Sequence, residues 1–445
     1  MHINEKKHGQ EDSLNRKKKM IWSGVLLLFA ALLCVILSTG LSYRKKHSQT
    51  QLESKLPQEK PYNENEKIRV LIKTNGFSEV SHAMVQLQAE SGLRVTNGEN
   101  VVECEAGQVV AIAPDDERFQ TGTILVESRC EGEKVTIASL NRGYGIPSYR
   151  GRLELFKTAE GIVIINELLL EEYLYAVVPS EMPASYELEA LKAQAVCARS
   201  YAYNQSRDYA YPEYQAHVDD STSFQVYGNS MEKESTIQAV DSTCGEKIWY
   251  NNQVATAYYY STSCGKTASI TAWGSEFNES NQYLKSINVC NEKGESYESS
   301  LPWHRWTATV PEQTMSNLVE LNTGTEIGKL LNLVVTKEGD GGIVQEITAV
   351  GTTGKIIVKT ENKIRKALGG SGYKIEKQDG TVVNSAKLLP SAFFTIEKRN
   401  GNYILRGGGY GHGIGMSQNG ANEMAKQGKN YKEILQMFYT GVSVK

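Results

Sequence analysis

The stretch from Glu172 to Tyr203, EYLYAVVPSEMPASYELEALKAQAVCARSYAY, determines how the middle of this chain is expected to fold. Its second half carries an apolar stripe with helical spacing, formed by Leu188, Leu191, Ala195, Ala198 and Ala202. A long helix is therefore predicted over about residues 186–207, with Ser185 as its N-cap. Glu181 lies just before it, between Pro179 and Pro183. Because proline fixes φ and restricts the residue before it, a rigid, non-helical corner is predicted around Glu181.

Glu181 is the first candidate catalytic residue. Lys192 and Arg199 are seven positions apart, which places them on one cationic face of the predicted helix. A carboxylate at a helix start with a lysine and an arginine nearby is a pattern typical of acid–base sites. The same pattern fits a glutamate that only caps the helix or pairs with Arg199, and the spacing alone does not separate the two interpretations.

Short β-like segments separated by glycine and asparagine surround the predicted helix. They precede it at Ile68–Ile72, Val101–Val102, Val109–Ile112, Thr123–Val126 and Ile162–Ile165, and strand patterns return over 247–260 and 330–405. Two further helices are predicted near the end of the chain, at about 419–427 and 431–439, with Gly428 as a C-cap. The predicted class is α+β and β-rich, with a long helix following the corner at Glu181. Residues 67–445 form the predicted main domain, with a β-rich first part at 67–165.

Residues 1–66 are predicted to form a membrane anchor and a linker. Met20–Leu41 is a run of 22 uncharged residues, which as a helix would be about 33 Å long and could cross a bilayer. Six basic residues precede this run and three closely follow it, so a cytoplasmic tail at 1–19 and an extracytoplasmic C-terminal domain are predicted. Polar residues 42–66 are predicted to be a linker. The alternative is a cleaved signal peptide, but the apolar run is long for one and lacks a clear cleavage site.

Charge argues against one class of partner. Residues 1–47 carry nine basic and three acidic residues, a net of +6, and the whole chain is −3, which leaves −9 for residues 48–445. An acidic domain without basic tracts is a poor candidate for binding nucleic acid. The cysteines outside the apolar run contain no CxxC pair, so their spacing indicates no zinc knuckle; they are Cys104, Cys130, Cys197, Cys244, Cys264 and Cys290.

Several ordered motifs resemble one family. They are Tyr149-Arg150-Gly151, Asn166-Glu167, the Glu172–Tyr203 segment itself, Tyr260-Ser261-Thr262-Ser263 with Gly265, Trp273-Gly274, Arg365–Gly369 and the closing run GYGHGIGMSQNGA from Gly409 to Ala421. Together they resemble the stage II sporulation protein D family, membrane-anchored lytic transglycosylases that act on peptidoglycan during engulfment of the forespore. The resemblance covers roughly residues 67–445.

The resemblance implies a lytic transglycosylase that cleaves the MurNAc–GlcNAc β-1,4 bond of peptide-stripped glycan and leaves 1,6-anhydromuramyl ends. In such a reaction the muramyl C6 hydroxyl attacks its own anomeric carbon, so no second carboxylate has to activate water as in ordinary glycosidases. Glu181 is then the single acid and base, with Glu172 left open as a partner. Arg199 is assigned to the substrate or to a neighbouring acid. The expected substrate contacts are Arg199, Lys192, Tyr283, Ser261, Ser263, His412 and Gln418.

The glycine-rich run 407–420 holds seven glycines in fourteen residues. Glycine is needed where φ is positive or where a ligand approaches the backbone closely. The helix that follows is predicted to begin near Gln418 or Asn419, where its free N–H groups could face a polar group. The resemblance favours a wall of the substrate groove; the alternative is a packing turn whose His412 is hydrogen-bonded in the core.

No metal or other cofactor is expected. Some members of the family carry zinc ligands just before the Gln-x-Tyr of the segment that reads HVDDSTSFQVY here. The corresponding positions are Asp219, Ser223 and Phe224, and phenylalanine cannot ligate a metal. His217 and Asp219 alone would make a weak site at best.

The resemblance also implies partners and a compartment. These are peptidoglycan glycan strands, a cell-wall amidase and a membrane protein of the engulfment machinery, at the forespore-facing side of the mother-cell membrane. The leading alternative is a non-catalytic, membrane-anchored glycan-binding scaffold that recruits an amidase, which would not depend on Glu181. A second alternative is a metal-dependent peptidase or amidase, which the absence of metal-ligand spacing disfavours. Ser263-x-x-Lys266 would suit a serine acyl-enzyme, but no Lys-Ser/Thr-Gly triplet follows it.

Overall fold

The computed structural model describes residues 65–445. Strands occur throughout this range, and all of its α-helices lie after residue 169. The α-helices are α1 (Leu170–Glu181), α2 (Leu188–Gln205), α3 (Glu234–Asp241), α4 (Glu312–Thr323), α5 (Glu361–Leu368), α6 (Gln418–Lys426) and α7 (Tyr431–Phe438).

The strands up to the end of the first half are β1 (Lys67–Ile72), β2 (Val85–Gln88), β3 (Leu93–Asn97), β4 (Asn100–Glu103), β5 (Val110–Ile112), β6 (Ile124–Ser128), β7 (Val135–Ile137), β8 (Ser148–Tyr149), β9 (Arg152–Lys157), β10 (Ile162–Leu169) and β11 (Val218–Asp219). The later strands are β12 (Ile248–Tyr250), β13 (Gln253–Val254), β14 (Tyr259–Tyr260), β15 (Trp306–Pro311), β16 (Leu330–Glu338), β17 (Val344–Gly351), β18 (Lys355–Lys359), β19 (Lys374–Lys377), β20 (Val382–Asn384), β21 (Phe394–Arg399), β22 (Asn402–Gly407), β23 (Met416–Ser417) and β24 (Ser443–Val444).

The largest sheet fixes the position of α1. Its strand order is β11-β1-β10-β9-β6-β3-β4. β1 and β10 are antiparallel, with Lys67 opposite Leu169 and Ile72 opposite Ile164. β10 is almost continuously apolar and nearly all of it is buried, as expected of an inner strand covered on both faces. Since α1 begins at the residue after β10 ends, the sheet determines where this helix starts.

The second half of the described chain forms smaller sheets. Their strand orders are β20-β19-β15-β22-β21, β16-β17-β18 and β13-β12-β24, while β5-β2-β7-β8 lies in the first half. One sheet consists of two parallel strands: β14 and β23 align Tyr259 with Met416 and Tyr260 with Ser417. This pair brings the two motifs that begin at Tyr260 and Gly409 side by side, although they are far apart in sequence.

The helix α2 lies in the core. Most of its side chains are buried, and many of them are alanines. Small side chains allow neighbouring helices to approach closely, and α2 contacts α1, α3, α6 and α7. The α+β class, the long helix and the two closing helices predicted from the sequence are confirmed.

Two local predictions were wrong. The N-cap of α2 is Glu187 rather than Ser185, and no side chain caps it. Glu181 does not lie in a non-helical corner: Pro179 is inside α1, and the helix continues to Glu181. Only Pro183 acts as expected, because the residue before it, Met182, is extended at φ −132° and ψ 136°. The corner therefore lies one residue beyond Glu181.

The predicted anchor at Met20–Leu41, together with the tail at 1–19 and the linker up to residue 64, lies outside the described residues. Within residues 65–445, no helix is both long enough and apolar enough to cross a membrane.

Candidate functional site

Glu181 is the last residue of α1, so its carboxyl group lies at the negative end of the helix dipole. Met182 donates its N–H to the Val178 carbonyl at 2.9 Å and closes the last turn. The carbonyls of a last turn lack helical partners. The carbonyl of Glu181 accepts a hydrogen bond from Gln418 Nε2 at 3.0 Å. The predicted contact residue Gln418 thus holds the backbone that carries the acid.

The surroundings of the Glu181 carboxyl favour its protonated form. Burial raises its pKa to about 7, although hydrogen bonds from the Val226 N–H and the Tyr259 hydroxyl act in the opposite direction. The Val226 N–H lies 2.6 Å from Glu181 Oε1. No lysine or arginine of residues 65–445 contributes to this pKa. The helix dipole also disfavours a negative charge here. A carboxyl group with a pKa near neutrality suits a general acid.

A chain of hydrogen bonds runs from Tyr173 through Gln225 and Tyr259 to the Glu181 carboxyl. Tyr173 donates its hydroxyl to Gln225 Oε1 at 3.3 Å. Gln225 Nε2 donates to the Tyr259 hydroxyl at 3.1 Å, and Tyr259 is hydrogen-bonded to Glu181. Because Gln225 fills the acceptor position of the Tyr259 oxygen, the hydroxyl proton is directed toward Glu181. Tyr173 and Gln225 are buried, so their end of the chain is shielded from water, whereas Tyr259 and Glu181 are half-buried.

Ser261 and His412 lie on the β14–β23 side of the site. The Ser261 carbonyl accepts hydrogen bonds from the N–H of Asn419 at 2.9 Å and from its side-chain amide at 3.1 Å. The imidazole of His412 meets the Tyr259 carbonyl at 2.9 Å through Nε2, while the Ile414 N–H donates to Nδ1 at 3.1 Å. Nδ1 is therefore an acceptor and Nε2 carries the proton.

His412 is unsuited to proton transfer. Burial, reinforced by the charge of Arg365, lowers its pKa to about 3. Both ring nitrogens already contact the backbone, so the neutral ring acts as a fixed part of the glycine-rich run. Of the two predicted roles for this run, the hydrogen-bonded packing turn describes His412.

Three predicted substrate contacts lie elsewhere. Arg199 is completely buried and makes a two-pronged ion pair with Glu171, at 2.7 and 2.8 Å. Its remaining nitrogen bonds to Thr243 and to the Glu246 carbonyl. All three guanidinium nitrogens are therefore occupied within the core. Of the two roles predicted for Arg199, pairing with a neighbouring acid describes this geometry and a substrate contact does not.

Lys192 and Tyr283 are also engaged with other parts of the protein. Lys192 pairs with Glu189 at 2.7 Å and lies over the ring of Tyr431. Tyr283 is buried, and its hydroxyl donates to the Thr256 carbonyl at 3.1 Å. None of these contacts involves Glu181. The shared cationic face predicted from the sequence is thus divided between Arg199 in the core and Lys192 near the surface.

Ser263 is buried and forms hydrogen bonds with a carboxyl group other than that of Glu181. Its N–H donates to Oε1 of Glu298 at 2.9 Å, and its hydroxyl also bonds to Glu298. The hydroxyl of Ser417 donates to the same Oε1 at 2.7 Å. Burial raises the pKa of Glu298 to about 7. Ser263 is therefore not free to contact a sugar in this arrangement.

Half-buried aromatic rings lie near the site. Burial raises the pKa of Tyr201, and the nearby charges of Tyr258 and Glu181 raise it further. Tyr201 therefore lies close to Glu181. Ring centroids are 6.1 Å apart between Tyr201 and Tyr258 and 4.8 Å apart between Tyr258 and Trp273. The ring of His412 follows Trp273 at 5.1 Å. Aromatic rings beside a carboxylic acid would provide apolar contacts for the faces of sugar rings.

The residues of the segment in which the resemblance places the zinc ligands of some family members have other partners here. Asp219 is buried and accepts hydrogen bonds from Ser221, Tyr211 and Lys73. His217 uses Nδ1 to accept the N–H of Arg69 at 3.1 Å. Ser223 is exposed and Phe224 is half-buried. Within residues 65–445, no three His, Cys, Asp or Glu side chains are grouped as metal ligands.

Glu172 is too far from Glu181 to be its partner. The two residues lie nine positions apart in α1, which corresponds to roughly 13 Å along a helix axis. Glycosidases that use two carboxylates hold them about 5–9.5 Å apart. The described site therefore presents one carboxylic acid rather than a pair formed with Glu172.

Three residues of this arrangement are not predicted from the sequence: Tyr259, Gln225 and Glu298. The sequence does contain features near the first two: Tyr259 directly precedes the motif that begins at Tyr260, and Gln225 is the glutamine of the Gln-x-Tyr sequence. No local pattern marked Glu298, since its partners Ser263 and Ser417 lie 35 and 119 positions away.

Comparisons with known proteins agree with this arrangement of motifs. Residues 158–250 match the family described as stage II sporulation protein, and residues 252–415 match a domain of unknown function. An uncharacterized protein of Brachyspira hyodysenteriae is 30% identical over 304 residues, which are 66% of this chain and 72% of that protein.

Two relatives are from Bacillus subtilis. The amidase enhancer is 32% identical over 300 residues, covering 61% of this chain but only 40% of that protein. Stage II sporulation protein D is 32% identical over 334 residues, covering 71% of this chain and 85% of the relative. On this identity over most of both chains, the protein belongs to the stage II sporulation protein D family.

Proposed function

We propose that this protein is a lytic transglycosylase that cleaves the β-1,4 bond between MurNAc and GlcNAc in peptidoglycan glycan strands. The observation that supports this proposal most directly is the Glu181 carboxyl group. Burial raises its pKa to about 7, it has no cationic partner in the described chain, and it is hydrogen-bonded by Val226 and Tyr259. This is the state that a general acid requires.

The proposed reaction uses Glu181 twice. Its proton moves to the glycosidic oxygen as the bond from that oxygen to the muramyl C1 breaks, and the GlcNAc hydroxyl leaves. The C6 hydroxyl of the same muramyl residue then forms a new bond to C1, and its proton returns to the Glu181 carboxylate. No water is consumed, and the product is a 1,6-anhydromuramyl end. The cycle ends with Glu181 protonated again.

The half-buried rings of Tyr201, Tyr258 and Trp273 are proposed to contact the sugars. Substrate contact through Arg199, Tyr283 or Ser263 would require breaking the bonds described above. The acidic balance of residues 48–445 disfavours binding to strongly anionic polymers, and it is compatible with a glycan stripped of its charged stem peptides.

A second candidate function is a glycan-binding scaffold that supports a cell-wall amidase. The observation in its favour is the similarity to a relative named amidase enhancer. In that role the aromatic rings would bind glycan, and the state of Glu181 would not matter. Proposed partners in either role are glycan strands, an amidase and a membrane protein of the engulfment machinery.

Product analysis distinguishes the two functions. The purified protein, incubated with peptide-stripped glycan strands, is expected to release fragments with 1,6-anhydromuramyl ends, detected by mass spectrometry. An excess of chelator should leave the rate unchanged, because the positions aligned with zinc ligands include Phe224. Intact glycan with measurable binding would support the scaffold, and loss of activity with loss of a bound metal would contradict the metal-free reaction.

The proposed compartment gives a separate prediction. If Met20–Leu41 crosses the membrane with residues 1–19 in the cytoplasm, protease added to intact protoplasts should digest residues 67–445. A cytoplasmic protein followed in the same sample should remain intact and shows that the membrane is closed. Full protection of residues 67–445 would contradict the proposed orientation, and release of the domain into the medium before protease treatment would indicate a cleaved signal peptide.

A further inference from the structure

Glu298 is a fully buried glutamate that the proposed reaction does not use. Its exposed fraction is 0%. Three donors converge on its carboxyl group: the N–H and hydroxyl of Ser263, and the hydroxyl of Ser417. Within residues 65–445 it forms no ion pair with a lysine or an arginine. Burying a carboxyl group without a cationic partner costs free energy, so a residue here needs a reason beyond packing.

The carboxyl group of Glu298 joins two segments. Ser263 follows β14, while Ser417 ends β23 and is the N-cap of α6. The Ser417 hydroxyl donates to Glu298 at 2.7 Å and accepts the N–H of Gly420 at 3.2 Å. A Cβ atom placed on Gly420 would lie 3.0 Å from the Glu298 carboxyl, so the first turn of α6 packs directly against it. Glu298 therefore fixes both the cap and the position of this turn.

The first residues of α6 in turn hold the end of α1. Gln418 donates to the Glu181 carbonyl at 3.0 Å. Asn419 accepts the Tyr186 hydroxyl at 2.6 Å, which fixes the chain just after Glu181. The Asn419 N–H also bonds to the Ser261 carbonyl at 2.9 Å. A continuous set of hydrogen bonds thus runs from Glu298 through Ser417 and the start of α6 to the backbone of Glu181.

We propose that Glu298 is a positioning residue for Glu181, whose carboxyl group holds the start of α6 against the end of α1. A carboxyl group suits this task because its two oxygens accept up to about four hydrogen bonds, enough for three donors from two segments. The kinetic part of this inference rests on the proposed function, whereas its structural part rests on the geometry alone.

The test compares Glu298→Ala with Glu298→Gln. Glutamine keeps the volume and an acceptor oxygen, so it should largely retain the junction, while alanine removes it. The first measurement is the titration of the Glu181 carboxyl by ¹³C NMR, assigned by its absence from Glu181→Gln. In Glu298→Ala we expect the midpoint to fall by about one pH unit, because a loosened α6 admits water to Glu181. In Glu298→Gln it should stay within about half a unit of the wild-type value.

The second measurement is turnover of glycan strands. In Glu298→Ala, kcat should fall by about tenfold to 10²-fold with little change in KM, because misplacing a catalytic group affects the transition state more than binding. Glu298→Gln should restore most of kcat. Glu320→Ala is the matched control, since Glu320 also accepts hydrogen bonds from loop N–H groups, those of Ile327 and Gly328. It should leave both the titration and kcat unchanged.

The outcomes separate the alternatives. If Glu298→Ala lowers only the melting temperature, with the Glu181 titration and kcat unchanged, Glu298 is merely structural and the proposal is wrong. If the wild-type protein makes no anhydro ends, the proposed function fails, but the titration still decides the role of Glu298. If Glu298→Ala does not fold, Ser417→Ala removes the same link, and an unchanged Glu181 titration in that variant would overturn the proposal.

Discussion

Replacing Glu181 with glutamine is expected to lower the production of 1,6-anhydromuramyl ends by at least about 10²-fold, within the ~10²–10⁴-fold range of general acid–base catalysis. Glutamine keeps the shape and can still accept the Val226 N–H, which lies 2.6 Å from the Glu181 carboxyl. It cannot donate the proton that the leaving oxygen requires. Glycan binding and the melting temperature should hardly change, because burial disfavours a neutral amide less than a carboxylate. Reducing and anhydro ends are counted by mass spectrometry.

Glu172→Gln is the control for this experiment, because Glu172 lies roughly 13 Å away along α1. It should retain wild-type turnover. Wild-type turnover in Glu181→Gln would refute the role of Glu181 as the catalytic acid and base. The remaining explanations would be a glycan-binding scaffold or a different catalytic residue. Products that end in reducing sugars would mean that water is the nucleophile, and a second carboxylate would then have to be found.

The pH dependence of turnover gives the same assignment a second check. Burial raises the pKa of Glu181 from 4.5 to about 7, so the protonated acid is present below that value and is lost as the pH rises through it. Turnover should therefore fall on the alkaline side of about pH 7. The stability contribution has the same sign: it is fully present below the ordinary pKa of 4.5 and is lost as the pH rises through 7.

The sequence was sufficient for features with local causes. The apolar stripe of α2 is a repeat of three and four residues, and the structure places this helix at Leu188–Gln205. The corner was predicted around Glu181 but lies one residue later in the structure. The reason is that a proline can be accommodated inside a helix when the surrounding packing compensates for the lost hydrogen bond. Pro179 is buried in α1, where tertiary packing outweighs its cost.

Residues that depend on distant pairing could not be predicted in the same way. The pairing of β14 with β23 brings the Tyr259 hydroxyl to the Glu181 carboxyl and the Gln418 side chain to the Glu181 carbonyl. These two strands contain two residues each, and no local sequence pattern indicates strands so short. Glu298 was missed for the same reason. The motifs of the resemblance include segments that lie around Glu181 in the structure, but they do not show which side chains within them are free and which are engaged in the core.

Arg199 shows how an assignment from periodicity can fail. Spacing of seven residues placed it on a face with Lys192, which suggested a common surface. However, α2 is covered on nearly all sides, so its faces do not divide into a buried and a solvated half. A charge in such a helix has to be paired internally, and Glu171 of α1 supplies the partner.

Replacing Arg199 with alanine is accordingly expected to destabilise the fold by about 3–5 kcal/mol, the usual cost of removing one partner of a buried ion pair. The loss has three sources. Glu171 keeps only the Gly245 N–H at 3.2 Å among the bonds described, and the Glu246 carbonyl loses the hydrogen bond from Arg199. A cavity also opens in the core. The free energy of unfolding, from urea denaturation followed by circular dichroism, measures this effect.

Lys192→Ala separates this structural role from binding to substrate. Lys192 pairs with Glu189 three residues away, and their side chains are 19% and 31% exposed, so its removal should cost no more than about 1 kcal/mol. Combining Arg199→Met with Glu171→Gln should recover part of the stability lost in Arg199→Ala, because the apolar side chain fills space and no buried charge is left unpaired. If Arg199→Ala instead remained as stable as Lys192→Ala while glycan affinity dropped, Arg199 would be a substrate contact after all. The buried, two-pronged pair with Glu171 would then have to open on binding, because only an open pair leaves guanidinium N–H groups for a sugar.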